Sequence, residues 1–173
     1  MYSFNSDYSE GACEAILQAM VDTNRKQSVG YGLDEECDKA RALIREQLQS
    51  DTCDIHFLVG GTQCNQVVIS SALRPYEAVI AAKSGHINVH ETGAIEASGH
   101  KVLVADSEMG KVLPQGIRAV MNEHVDEHMV KPAMVYISNA TEIGTVYTKA
   151  ELKALRDVCD EYGLLLYMDG ARL

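Results

Sequence analysis

The sequence predicts an α/β fold: a mainly parallel sheet with helices on both faces. Short, fully apolar runs recur from residue 54 onward, and helical or helix-capping segments separate them. Continuous apolar runs are how strands covered on both faces read, and their alternation with helices is the pattern of a parallel sheet. The chain has 173 residues, 46% of them hydrophobic and 23% charged. That is enough for a domain with a real core.

Ser9 to about Lys26 reads as a helix with Ala12, Ile16, Ala19 and Met20 on one face. Asp34 can cap a second helix over 34–50, where Cys37, Ala40, Ile44 and Leu48 form an apolar stripe. The first strand is expected over 54–60, followed by a helix over 62–73 and a strand over 78–82. A helix lies within 88–98, with Gly99 placed to end it. A strand follows at 101–106, then a turn at Asp106-Ser107. The next helix runs from Pro114, a good first-turn residue, to about Glu127. The fourth strand is 133–138. Thr148 and Glu151 have the spacing of a capping box, opening a helix that Gly163 closes. The fifth strand is 164–168. The two N-terminal helices have no strand partner, so they belong at the domain edge or against another subunit.

The formal net charge is −10, which disfavours a nucleic-acid or anionic-membrane surface. The five cysteines have no CxxC spacing, so buried free thiols in a reducing compartment are expected rather than disulfides or a zinc knuckle. The N-terminus has no basic, apolar leader pattern and no run approaches membrane-spanning length. A soluble, cytoplasmic protein is expected.

Ligands of an open parallel sheet bind beyond the carboxyl ends of its strands. After the first strand comes Gly60-Gly61-Thr62-Gln63-Cys64-Asn65, either a phosphate cup at a helix N-terminus or a plain tight turn. It lacks the Lys-Ser/Thr of a Walker loop and the glycine pattern of a dinucleotide fold. After the second come His86, His90 and Glu91. A histidine here can stack on a planar ring or cap the next helix. A metal site is set aside for want of a third ligand. Asn139 follows the fourth strand and can hydrogen-bond a ligand rim. Asp169 and Arg172 follow the fifth. Either they pair with each other, or Asp169 faces a cationic ring nitrogen and Arg172 a substrate carboxylate. Glu123-His124 and Glu127-His128, one helical turn apart, read as a solvated face. A phosphorylated, cationic ring cofactor fits the strand-end set, and pyridoxal 5'-phosphate (PLP) fits best.

Taken together, FNSDYS, GYGLDEECDKA, FLVGGTQCNQVVI, SGHINVHETGAIEASGHKV, ISNATEIGTVYT and YMDGARL resemble the threonine aldolase family of PLP enzymes. The resemblance covers nearly the whole chain and implies an aspartate-aminotransferase-like, fold-type I architecture. The domain reading is an N-terminal helical segment, 1–50, and a partial PLP-binding large domain, 51–173, with the small C-terminal domain absent. The resemblance implies that Gly61 and Thr62 hold the phosphate, that His86 stacks on the pyridine ring and that Asp169 meets the pyridine nitrogen. Arg172, with Ser6 nearby, holds the substrate carboxylate, and Glu91 stands at an active-site glutamate position. His86, His90 and a water are open as the base. The implied reaction is retro-aldol cleavage of threonine or allo-threonine to glycine and an aldehyde, in a homo-oligomer with active sites at subunit interfaces. Tyr31 is a candidate to reach a neighbour's site.

Two departures stand out. Asn5 occupies a position where the family often has arginine. None of the eight lysines matches the family's Schiff-base motif. The chain is therefore expected to be the N-terminal part of an enzyme and inactive alone. The rivals are another fold-type I enzyme (a β-eliminating lyase or aminotransferase) and a non-catalytic relative.

Overall fold

A computed structural model describes Ser3, Ser6 and residues 8–173; Asn5, the departure noted in the sequence, lies outside them. The chain divides into two units, residues 1–57 and 58–173, each described by itself.

In the first unit, α1 (Glu14–Thr23) is shorter than the predicted span, and no side chain caps its Cys13 end. None of its residues is buried. Helix α2 (Glu35–Leu48) starts as predicted: the Asp34 carboxylate accepts the Glu36 and Cys37 N–H groups, both at 3.0 Å. Its stripe is only partly covered, since Ile44 and Leu48 are exposed. The predicted strand at 54–60 does not form. The carbonyls leading into it are used elsewhere: Arg41 donates to Ile55 O at 3.3 Å and Arg45 to Cys53 O at 3.4 Å. Arg41 also lies 5.4 Å over the Phe57 ring. Further on, the Val59 N–H donates to Gln63 Oε1 at 2.9 Å, so this backbone is spent on side chains rather than on a ladder.

The second unit begins with α3 (Gly61–Ala72) and contains the sheet. Strands β1 (Glu77–Ala82), β2 (Val102–Ala105), β5 (Lys131–Ser138) and β6 (Leu165–Asp169) pair in the order β2-β1-β5-β6. All three pairings are parallel. Between β2 and β5 lie a small antiparallel hairpin, β3 (Ser107–Glu108) and β4 (Lys111–Val112), and then α6 (Pro114–Glu123). The predicted turn at Asp106-Ser107 is thus the entrance to a hairpin whose tip is Met109-Gly110, both at positive φ. Helix α6 stops at Glu123, so Glu127-His128 lies past its end and the expected polar face one turn apart is not built.

The single helix expected within 88–98 is two short ones, α4 (His86–Val89) and α5 (Ala94–Ala97). Thr92 at φ 55° and Gly93 at φ 73° turn the chain between them. Gly99 does end the second, donating its N–H to Glu96 O at 2.9 Å. Helix α7 (Lys149–Tyr162) has the predicted capping box and ends at Gly163 with φ 67°.

Period-two alternation splits the core into two layers. Ala78, Ile80, Ala82, Val135 and Ile137 face α6 and α7. Val79, Ala81, Met134 and Tyr136 face Ile69 of α3, Ile87 of α4 and Ile95 of α5. Helices therefore cover both faces, as the apolar runs predict. All five cysteines are free thiols, but only Cys159 is buried; burial pushes its thiol up to about 11. Among the described residues no helix is long and apolar enough to cross a membrane.

Gly116 is buried in the first turn of α6, where a Cβ would come 2.5 Å from the Asp106 carbonyl oxygen. Gly116→Ala is expected to destabilise the fold by about 1–3 kcal/mol, read from the urea midpoint. Glu151 is held low, at about 2, by the Lys111 ammonium and by the Thr148 N–H. Its folded value lies below the ordinary 4.5, so its contribution is present above that value and fades as pH falls through about 2. The stability gap between wild type and Glu151→Gln should be open at neutral pH and narrow across that acidic window.

Candidate active site

The carboxyl ends of β1, β5 and β6 point the same way, and the residues following them converge. At the end of β6, Asp169 is fixed by backbone and side chain. Its carbonyl accepts the Asn139 N–H at 2.9 Å. Its Oδ1 accepts the Ala171 N–H at 3.1 Å. Its Oδ2 accepts the Tyr136 hydroxyl at 2.8 Å and Nδ2 of Asn65 at 3.2 Å. Three donors thus converge on one carboxylate. The Tyr136 phenol is pushed well above its ordinary range, chiefly by burial, so it stays a neutral donor. Ser138 donates to its oxygen at 3.2 Å and completes the chain.

The register of the sheet makes this convergence. Tyr136 pairs with Tyr167 and Ser138 with Asp169 across β5 and β6. These four alternate to one face, the one covered by α3, α4 and α5. The Tyr136 and Tyr167 rings meet edge-on with centroids 5.5 Å apart.

The second arm comes from β1. His86 opens α4, and its Nδ1 lies 2.8 Å from Oε1 of Glu91. The Glu91 side chain has no exposed surface, whereas that of His86 is 36% exposed. The same Glu91 oxygen accepts Nδ2 of Asn65 at 2.6 Å. Oε2 of Glu91 is buried with no hydrogen-bond partner. Asn65, in α3, therefore joins the two arms, and Tyr167 donates to its Oδ1 at 2.6 Å. The Tyr167 phenol is also raised, first by burial and then by its neighbour Cys64.

The structure thus brings His86, Glu91 and Asp169 into one hydrogen-bonded set. Gly61 and Thr62 form the first turn of α3, whose other end of approach is Gly60 at φ 80°. No side chain caps this helix, and a Cβ on Gly60 or Gly61 would meet nothing within 4 Å. That leaves first-turn N–H groups for an anion. Arg172 lies in the exposed turn after Asp169. Ser6 belongs to the first unit, where its Oγ accepts the Tyr8 N–H at 3.4 Å.

Asn139 is buried, and its Oδ1 accepts the Tyr147 N–H at 3.1 Å. His90 packs its ring 5.5 Å from that of His86. Among the described residues, a metal-like grouping forms only from Asp126, Glu127 and His128, all exposed.

Tyr136 and Tyr167 were missed from sequence as site residues because they sit inside apolar runs. A hydroxyl at the same parity as a strand-terminal acid is the signal that would have found them. Asn65 was visible only as a member of the glycine loop.

The donor set fits PLP. An uncapped helix N-terminus next to open glycines suits a phosphate, and a triply held acid suits a protonated ring nitrogen. The unpartnered Oε2 of Glu91 is a remaining acceptor beside it.

Fold and site together define part of an aminotransferase-like α/β protein. Residues 3–173 match the Beta-eliminating lyase family, and the chain belongs to it. Low specificity L-threonine aldolase of Pseudomonas aeruginosa is 37% identical over 171 residues, covering 98% of this chain and 49% of that one. The enzyme of the same name from a Pseudomonas sp. strain is 39% identical, with the same coverage. The solved threonine aldolase of Leishmania major is 52% identical at TM-score 0.97, over 99% of this chain and 50% of that one. An archaeal alanine:glyoxylate aminotransferase, 17% identical at TM-score 0.71 over 89% of this chain and 39% of that one, shares the fold. The chain spans about half the length of the curated relatives it matches.

Tyr136→Phe removes the shortest hydrogen bond to Asp169. A loss of about 1.5–3 kcal/mol is expected, typical of a bond to a charged acceptor, measured by urea unfolding.

Proposed function

We propose that this chain supplies the cofactor-binding part of a PLP-dependent lyase that cleaves β-hydroxy-α-amino acids, threonine or allo-threonine, to glycine and an aldehyde. The observation that carries the reading is Asp169, held at the strand end by hydrogen bonds from Tyr136, Asn65 and the Ala171 N–H. Sequence identity of 37–52% to proteins named threonine aldolases supports the reaction type.

In this reading Gly61 and Thr62 bind the phosphate through the start of α3. Asp169, fixed by three donors, would face the ring nitrogen and accept its N–H. When bound, PLP takes up the electron pair released at the substrate Cα. His86, oriented through Nδ1 by Glu91, would lie over the ring face, and its Nε2 would take a proton from the substrate hydroxyl. Arg172 would orient the substrate carboxylate.

The same reading includes a homo-oligomer in the cytoplasm. Exposed Ile16, Leu17, Met20 and Val21 on α1 support a subunit contact. Five unpaired cysteines support a reducing compartment.

The test is product analysis with the protein at the full length of its relatives. PLP and L-threonine or L-allo-threonine are expected to give glycine and acetaldehyde in equal amounts. Asp169→Ala should lower kcat by about a hundredfold or more. A keto acid with ammonia would instead assign β-elimination.

A further inference from the structure

Asn65 is 2% exposed, and both hydrogens of its amide nitrogen go to acids. Glu91 Oε1 and Asp169 Oδ2 therefore share one nitrogen. Two carboxylates that share one donor repel, so their approach depends on that amide. Glu91 has little else to hold it. Its side chain is fully covered, its Oε2 has no partner, and its other oxygen has only Asn65 and His86. We propose that Asn65 is a positioning residue whose amide bridges Glu91 and Asp169, and so fixes the orientation and tautomer of His86 through Glu91. The functional part of this proposal rests on the lyase reading above; the positional part stands on the geometry alone.

The arrangement determines more than position. Glu91 Oε1 already accepts Asn65, so toward His86 it acts as an acceptor and the imidazole donates from Nδ1. Nε2 is then left with its lone pair. The orientation of Asn65 is itself set, because Tyr167 donates to its Oδ1 at 2.6 Å. A flipped amide would turn its oxygen toward two acids, a repulsive arrangement. An aspartate of nearly the same shape would place a third carboxylate there and remove both donors.

The partners of His86 and its neighbours include Glu91, His90 and, through Asn65, Asp169, Tyr136 and Tyr167, with Cys64 beside the Tyr167 hydroxyl. Loss of the Asn65 N–H groups therefore leaves Glu91 Oε1 with His86 as its remaining partner in this set.

The experiment is histidine NMR on the chain with labelled imidazoles, in wild type, Asn65→Ala and Asn65→Asp, without cofactor. His100 and His124 are internal references. Their Nδ1 atoms contact the carbonyls of Glu77 and Val120 at 3.0 and 2.9 Å, far in sequence from Asn65. Wild-type His86 is expected as the Nδ1–H form once neutral. In each variant that keeps the reference signals, the Nδ1–H form of neutral His86 should lose its dominance and the Nε2–H share should rise. A wild-type Nε2–H form, or a tautomer ratio unchanged in a folded variant, overturns the proposal. If Asn65→Ala does not fold, Asn65→Asp decides by the same criterion. A Tyr167→Phe variant, which loosens the amide without adding charge, should give a smaller change in that ratio; no change in it and in Asn65→Asp counts against the proposal.

PLP binding is followed separately by its visible absorption in wild type at full length. Failure there would remove the lyase reading and leave the His86 result standing. In the active holoenzyme, Asn65→Ala should displace the pH profile of kcat/KM. A uniform loss with an unmoved profile would assign Asn65 a structural role only.

Discussion

The site is organised around the problem of satisfying a carboxylate at the end of a half-buried edge strand. Removing an anion from water is costly unless donors replace the lost hydration. Asp169 meets that requirement with a phenol, an amide and a backbone N–H. Each donor sits on a different element, β5, α3 and the turn after β6. Their arrival at one point requires the register of the sheet, the placement of α3 on its face and the turn after Asp169. The carboxylate is therefore satisfied only when the second unit is assembled, and local geometry and global fold are coupled through it.

A second acid makes the requirement stricter. Glu91 is carried inward by the break between α4 and α5, where Thr92 and Gly93 reverse the chain. A continuous helix would have kept the residue on a regular surface. The irregularity thus has a consequence: it buries an acid against a histidine and an asparagine. This accounts for why the sequence pattern of 88–98 looks helical while the chain is not helical throughout.

Much of the sheet region was legible in the sequence. Apolar runs at 78–82, 101–106, 133–138 and 164–168 became strands because their alternating side chains meet helices on both faces. The capping box at Thr148 and the stop at Gly163 were read from local chemistry and formed as read. What failed was decided by long-range partners. The 54–60 run is apolar enough for a strand, but Arg41 and Arg45 take the carbonyls leading into it. The hairpin at 107–112 was hidden because two-residue strands carry no periodicity. Within the site, His86, Glu91 and Asp169 were picked out by type and position. Asn65, Tyr136 and Tyr167 were not, since nothing in their neighbouring sequence announces which acid they will meet.

The two core layers divide the sheet unequally between stability and chemistry. Tyr136 and Tyr167, the donors from the strands, belong to the layer beneath α3, α4 and α5. The layer beneath α6 and α7 is aliphatic apart from Tyr147, Cys159 and the half-buried Tyr162, and none of the proposed ligand contacts lies in it. Evolutionary drift and engineering should therefore find different freedom on the two sides. Repacking under α6 and α7 can tune thermal tolerance with little bearing on the acids, whereas a shift of α3 by a fraction of an ångström would be felt at both carboxylates through one side-chain amide.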